Sequence, residues 1–599
     1  MNDGGTPDDR RTASLPRRVA VQAGRVLSPR GALALQGVDG ALAFALRAAL
    51  AMAVPALPIA LAGRADLAVY AMLGSFTTTF GRNLPYARRA RVLALVALAM
   101  TACVAGGTAL VAWARPLDGG AGAAVTVAAT AVVAGLAKLA CDAARLRGLG
   151  AVLLLFSFAV AANSASAASD VLPHTALAAT GAAVAWVLAV AGRLTHPDRP
   201  QRLAVAAALR ELADLWERGG RTARHRATAA VLQAYRTLGV LPPPGADRRG
   251  RDDTCVRLAD LSWSLLVGSA RRPPADPLAL ARTLRRQAGL LAGRGRRTPP
   301  VLPELTPSPP TDRTDRAART APGAAHAPAG VPPLRPGPVP ADPATRHAAE
   351  LRVAHLVAGP SHARTAVLLV PALRMVLGTG LAGAAALLLG LGHGYWAAIS
   401  AAAVLHSVNV RTAAQRAVQR TLGTVAGLLL ALGVLALRPE PVVLVLVIVL
   451  FEFLLEYVVA RNYGLGVVFL TPLALLLSDL AAPESAGALV RDRALGSLLG
   501  VLVALGCALL VVHDRAAVRA ARALAACEEA SERAERVLDE GAVEAFPVVQ
   551  TRLATAVVEL READDAAAGE LWPAELDPVE LAAAERRAHL VLERLARSR

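Results

Sequence analysis

Two long stretches of this chain, residues 41–193 and 366–512, are almost wholly apolar, and a polar region divides them. A membrane-crossing helix needs about 20 predominantly apolar residues, so each stretch has room for about six crossings. Segments 97–114, 174–192 and 421–437 contain no Asp, Glu, Lys or Arg at all. A water-soluble domain interleaves charge with apolar residues throughout. Here the charges gather before residue 35, between 194 and 364, and after 513. The layout predicts an all-α polytopic membrane protein, built from two parallel six-helix transmembrane repeats with cytoplasmic helical regions.

In the first repeat (36–193) helices are expected near 41–62, 66–80, 91–114, 121–140, 149–168 and 173–193. In the second (346–513) they are expected near 366–391, 394–408, 421–437, 440–460, 463–480 and 492–512. The connections alternate in charge. Arg10, Arg11, Arg17, Arg18, Arg25 and Arg30 precede the first helix; Arg82, Arg88, Arg89 and Arg91 follow the second; Arg145 and Arg147 follow the fourth. Arg411, Arg416 and Arg420, then Arg461, take the matching places in the second repeat. The intervening turns carry little net positive charge, with Arg64 beside Asp66, Arg115 beside Asp118, and Asp479 and Glu484. The excess of positive charge at one set of helix ends orients those ends to the cytoplasm. An even number of spans per repeat makes the copies parallel and leaves both termini cytoplasmic. The same distribution assigns the net charge of +18 to orientation and argues against nucleic acid as a partner.

Outside the membrane, 1–35 reads as a basic cytoplasmic tail rather than a signal peptide, because no small-residue cleavage pattern follows the first apolar run. Residues 194–292 show apolar residues at helical spacing among Arg and Asp, predicting soluble helices over 203–216, 227–238, 255–266 and 278–291. The Pro- and Ala-rich segment 293–345 is expected to be a disordered linker. Residues 514–599 return to a helical pattern, expected to form a C-terminal bundle that packs against 194–292. Five cysteines with no CxxC spacing support neither a disulfide framework nor a zinc site. No Walker motif, cofactor fingerprint or Ser/His/Asp grouping appears. No cofactor, no metal and no enzymatic activity are expected.

Charge inside an apolar run costs about 2.5–3.5 kcal/mol on insertion scales, so such residues are the first candidates for function. Glu452 lies near mid-depth of its span, and Glu456 follows one turn later on the same helix face. A carboxyl group at that depth is a candidate proton carrier; the alternative is a packing pair with an Arg from another helix. Arg47 and Arg374 hold matching places early in the first helix of each repeat. They either reach back to the cytoplasmic surface or give a pathway a positive mouth suited to carboxylates. Lys138 and Asp142, four residues apart, are expected to satisfy each other. Tyr395 and Trp396 open the short second helix and either stack on an aromatic ligand or mark the membrane interface, as does Tyr70. Arg461, Asn462 and Tyr463 sit at the next turn, as substrate contacts or as a cap. His406 titrates near neutral pH in isolation.

The second repeat resembles the fusaric-acid-resistance-like family of bacterial membrane proteins. The resemblance rests on Gly394-Tyr395-Trp396-Ala397-Ala398-Ile399-Ser400, then Arg416 and Arg420-Thr421-Leu422-Gly423-Thr424-Val425-Ala426-Gly427, then the run from Arg461-Asn462-Tyr463-Gly464 to Thr471-Pro472. The first repeat resembles a degenerate copy, with Tyr70-Ala71-Met72-Leu73-Gly74-Ser75 and Arg91 but no Thr-Pro block. The Ala-, Arg- and Gly-rich composition is similar to that of high-GC actinobacterial sequences. The resemblance implies a homo-oligomeric inner-membrane protein, surrounded by lipid, that exports small aromatic or other organic carboxylate anions; proton coupling is suggested by the depth of Glu452 and not by the resemblance. A passive anion channel of the same architecture, or a membrane scaffold for an envelope-associated partner, are the alternatives.

Overall fold

The computed structural model describes residues 40–82, 84–114, 120–144, 146, 150–164, 166–242, 253–269, 276–293, 295, 297–305, 364–407, 409–482, 485–510, 515–570 and 577–597. The basic tail, most of the 293–345 linker, Arg115, Asp118, Arg145, Arg147 and Glu484 lie outside the described residues.

Among the described residues the first apolar stretch forms α1 (Ala41–Leu61), α2 (Ala65–Ser75), α3 (Tyr86–Ala114), α4 (Ala121–Ala143), α5 (Gly150–Ala162) and α6 (Val171–Thr195). The polar region forms α7 (Arg199–Arg218), α8 (Arg221–Leu238), α9 (Thr254–Gly268) and α10 (Pro277–Ala292). The second apolar stretch forms α11 (Arg364–Leu388), α12 (Tyr395–Leu405), α13 (Val410–Ala436), α14 (Pro441–Val458), α15 (Tyr463–Ala481) and α16 (Ala486–Leu510). The C-terminal segment adds α17 (Arg515–Asp539), α18 (Phe546–Ala568) and α19 (Pro578–Arg597). Nine of the described helices are long and apolar enough to cross a bilayer; α5 and α12 are apolar but shorter. This is an all-α, multi-pass membrane protein.

The chain divides into two compact units. The first contains α1–α6, α11–α16 and residues 562–576, and α17 up to residue 522. Its outer faces carry leucines at helical spacing: Leu42, Leu46, Leu50 and Val54 on α1, and Leu369, Leu373, Leu377 and Leu381 on α11 are all exposed. Stripes this apolar are unfavourable in water and suit lipid. Inside the unit the short helices are the most enclosed. Every residue of α5 and α12 is buried. A helix of eleven residues spans about 16 Å, well short of a hydrocarbon core. Neighbouring helices therefore enclose α12, and α2 is of the same length. The polar residues that interrupt α2 turn back on the backbone: Ser75 Oγ donates to Ala51 O on α1 and to Ala71 O, both at 2.9 Å, and Thr77 Oγ1 donates to Gly74 O at 2.8 Å.

Helix packing in this unit relies on glycine. A Cβ on Gly74 of α2 would stand 1.9 Å from Ala178 O of α6, and one on Gly181 of α6 would stand 1.9 Å from Ala71 O. At the α12–α16 crossing a Cβ on Gly500 would stand 2.2 Å from Ala397 O. The two apolar stretches are joined along α1–α14 and α4–α11. On the latter seam Gly135 meets Val376 and Gly383 meets Val127. Small residues let backbones approach where no hydrophobic force drives helices together.

The structure corrects the expected start of α13. The charge-free window at 421–437 marks only its later part; the helix begins at Val410, where Asn409 Oδ1 accepts from Thr412 N at 2.9 Å and Asn409 N donates to Thr412 Oγ1 at 3.2 Å. This reciprocal cap starts the helix eleven residues early. Arg411, Arg416 and Arg420 are thus on the helix, not in a turn. Arg88, Arg89 and Arg91 likewise fall on α3. The expected helix at 149–168 ends at Ala162, and Asn163 Nδ2 donates to Ala159 O at 2.8 Å.

The second unit combines α7–α10 with residues 523–561 and 577–599. Arg202 on α7 closes the end of α10 by donating to the carbonyls of Leu291, Gly293 and Gly295 at 3.1, 3.1 and 2.6 Å. These are the acceptors a helix terminus leaves over. Asp253 and Asp276 cap α9 and α10, and Tyr235 donates to Asp260 at 2.8 Å beside Trp263. On α19, His589 Nδ1 bonds to Glu585 O at 2.7 Å while its Nε2 is buried without a partner, against Trp263, Leu266 and Ala554. Burial holds its pKa below the usual histidine value, with Arg224 adding to the effect. The unfolded chain takes a proton below about pH 6.5 and the folded chain resists it. Stability is expected to decline as pH falls below that point, by up to about 1.4 kcal/mol per pH unit from this group. Thermal midpoints of wild type and His589→Leu between pH 7.5 and 5.5 check this: the acid-side loss is smaller in the variant.

Candidate functional site

Among the described residues of the first unit, three groupings of charged side chains involve the candidate residues or their neighbours. The first lies where α14 packs on α1. Glu452 and Glu456 are both buried on α14, and Glu452 Oε2 has no hydrogen-bonding partner among the described residues. Arg47 on α1 and Arg82, beyond α2, lie in electrostatic reach of Glu456, and Arg461 lies in reach of Arg82. The guanidiniums of Arg47 and Arg82 flank one ring, at 4.7 and 4.2 Å from the centre of Phe44. Arg47 is half-buried, and its Nε has no partner. Between the two apolar stretches, Glu456 thus has two cations in reach, with Glu452 one helical turn away.

The second place is the interior of α12, α13 and α16. Tyr395 and Trp396 are buried rather than interfacial, with ring centres 4.5 Å apart, and Tyr395 Oη lies 3.2 Å from Ser478 Oγ. Tyr70 is also buried, stacked on His174 at 3.6 Å. The guanidinium of Arg493 lies 3.8 Å from the centre of a Trp396 ring, and Arg420 Nη2 donates to Ser400 Oγ at 3.3 Å. Arg420 is 0 % exposed and Arg493 1 %. Neither forms an ion pair among the described residues. Nearby, Arg416 lies over the Tyr463 ring at 5.4 Å.

The third place brings Arg374 on α11 within electrostatic reach of Glu570, as is Arg519. Burial holds the pKa of Glu570 above the ordinary carboxylate value, with both arginines opposing the shift. Arg374 therefore answers to Glu570 and not to Glu452.

The remaining predicted residues have local roles. Asn462 caps α15, its Oδ1 accepting from Leu465 N at 3.2 Å. Arg461 returns to its own helix end, donating to Tyr457 O at 2.6 Å with its guanidinium 4.0 Å above the Tyr457 ring. His406 is the C-cap residue of α12. Lys138 and Asp142 form an ion pair at 2.9 Å. Sequence reasoning missed Arg82 and Glu570 as partners and Arg493 altogether. The span was expected to open at 492. The helix opens at Ala486, which puts Arg493 two turns inside. The apolar run after residue 484 was the available signal.

Residues 381–507 match the family model described as fusaric acid resistance protein-like. The second apolar stretch carries a fusaric acid resistance protein-like domain. That domain contains Tyr395, Trp396, Arg420, Glu452, Glu456 and Arg493. A segment of the chain is 38% identical over 122 residues to the uncharacterized membrane protein YvaC of Bacillus subtilis (strain 168), covering 20% of this chain and 19% of that protein. The chain thus spans about a fifth of the length of the relative it matches. No solved structure matches the chain. No group of three or more His, Cys, Asp or Glu suited to a metal ion occurs among the described residues.

Proposed function

We propose that the protein exports small aromatic or other organic carboxylate anions across the cell membrane and couples export to protons through Glu452. The observation that carries this reading is the buried pair Glu452 and Glu456, with Arg47 and Arg82 in electrostatic reach of Glu456, on the seam where the two apolar stretches join. Ionisable groups at membrane depth are costly and mark ion and proton pathways. A buried carboxyl group with an unpartnered oxygen can take and release a proton, and cations in reach of its neighbour Glu456 would draw an organic anion toward the pair.

The two stretches act, in this reading, as parallel repeats. The recurrence of packing partners supports it: α1 with α2 and α6 matches α11 with α12 and α16, while α4 lies on α11 as α14 lies on α1. The second unit, the tail and the linker are assigned to the cytoplasm on the charge distribution, and the assembly is assigned as a homo-oligomer on family resemblance alone. Accumulation of a panel of labelled acids, hydroxybenzoate and fusaric acid among them, tests the reading in cells with and without the protein. Wild type lowers accumulation severalfold with a dependence on external pH, and Glu452→Gln loses that dependence. Equal accumulation across a broad panel removes the exporter. Large unitary currents in liposomes, independent of a proton gradient, replace it with a passive channel.

A further inference from the structure

Among the described residues, Arg420 and Arg493 have no carboxylate to answer them. Asp492, the neighbour of Arg493 in the chain, turns elsewhere: its Oδ2 accepts from His393 N and lies 3.2 Å from His393 Nδ1, and its Oδ1 accepts from Arg491 Nε at 3.4 Å. The two guanidiniums are within electrostatic range of each other. Both have Nε and Nη1 buried without an acceptor. The ring of Trp396 covers the face of the Arg493 guanidinium, which leaves the N–H edge, where an anion binds, unsatisfied. Ser400, which accepts from Arg420, donates to Ser497 at 3.3 Å. Trp396 Nε1 is a further buried donor with no partner. Buried cations without counter-charge are strongly unfavourable unless something supplies it.

We infer that Arg420 and Arg493 form an anion site within the fusaric acid resistance protein-like domain, taking the carboxylate of a small ring-bearing acid with Trp396 and Tyr395 against its body. Paired guanidiniums suit a planar carboxylate because each offers parallel N–H donors. The adjoining aromatic rings favour a ligand with a flat apolar part over a hydrated inorganic ion. The site lies apart from Glu452 and rests on the export reading only for the reason such an acid would come there. All of these side chains are buried, so entry requires the surrounding helices to part, as alternating access provides.

The full-length protein purified in detergent is titrated with benzoate, with neutral benzamide and with inorganic phosphate, reading the thermal midpoint. Benzoate is expected to raise the midpoint saturably, and benzamide and phosphate are not. Arg420→Gln and Arg493→Gln weaken benzoate about tenfold or more, equivalent to about 1.4 kcal/mol. Their ligand-free midpoints stay level or rise, since an uncompensated buried charge has gone; two arginines that serve packing alone give a fall instead. No saturable shift with benzoate, an equal shift with benzamide or phosphate, or unchanged affinity in both variants overturns the site. If a glutamine variant does not fold, intrinsic fluorescence decides: a benzoate-dependent change seen in wild type and lost in Trp396→Phe supports the site, and one retained overturns it. Binding without transport leaves the site standing and removes the export reading; transport with no such binding does the reverse.

Discussion

Gly181→Val and Gly500→Val are each expected to prevent recovery of the protein as a monodisperse species in detergent. At both positions even a single added carbon would meet a backbone carbonyl, at 1.9 Å for Gly181 and 2.2 Å for Gly500. A carbonyl in a neighbouring helix cannot rotate away as a side chain does, so the helices must separate. Separation of α6 from α2, or of α16 from α12, opens the most enclosed helices of the membrane unit. Overpacking costs about 1–3 kcal/mol where side chains yield, and backbone contact puts these sites at or above the upper end. Gly506, on the same helix as Gly500, has nothing within 4 Å of its added carbon, so Gly506→Val is expected to leave size-exclusion profile and thermal midpoint nearly unchanged. A normal profile for Gly500→Val would show that the α12–α16 crossing is looser than described.

Glu456→Ala is expected to destabilise the membrane unit by about 3 kcal/mol, because Arg47 and Arg82 lose the carboxylate that faces them in a buried setting. Removing charge on the other side as well should return much of that loss. Arg47→Leu combined with Glu456→Ala is expected to be more stable than Glu456→Ala alone, since the cycle measures coupling between neighbours and not the separate substitutions. Thermal midpoints of the four proteins in detergent check this. Additive effects would mean that Arg47 and Glu456 do not sense each other. Glu452→Gln, which keeps shape and removes only the ionisable oxygen, is expected to fold normally.

Much of the membrane architecture was legible in the chain. Apolar runs long enough to cross lipid announce themselves, and Glu452 stood out because nothing else in its run is charged except Glu456. Helix starts were legible only where charge stopped, and this misled at α13. Asn409 and Thr412 begin that helix through hydrogen bonds between side chain and backbone, so three arginines read as a turn are helical. Asn462 was open between substrate contact and a cap, and the structure shows it capping α15. Tyr395 and Trp396 were open between stacking on an aromatic ligand and marking the membrane interface, because an aromatic side chain suits either; the structure buries both.

Sequence by itself determined that this chain belongs in a membrane as a set of helices, because the hydrophobic effect acts on local composition and each run carries its own burial requirement. It also determined which carboxylates would be expensive to insert. Only the tertiary structure decided what those charges meet. Glu456 is answered by Arg47 and Arg82, hundreds of residues away in the chain; Arg374 is answered by Glu570; Arg420 and Arg493 are answered by no carboxylate among the described residues. Electrostatic partnership depends on distance in space and on the exclusion of water, and helix packing sets both.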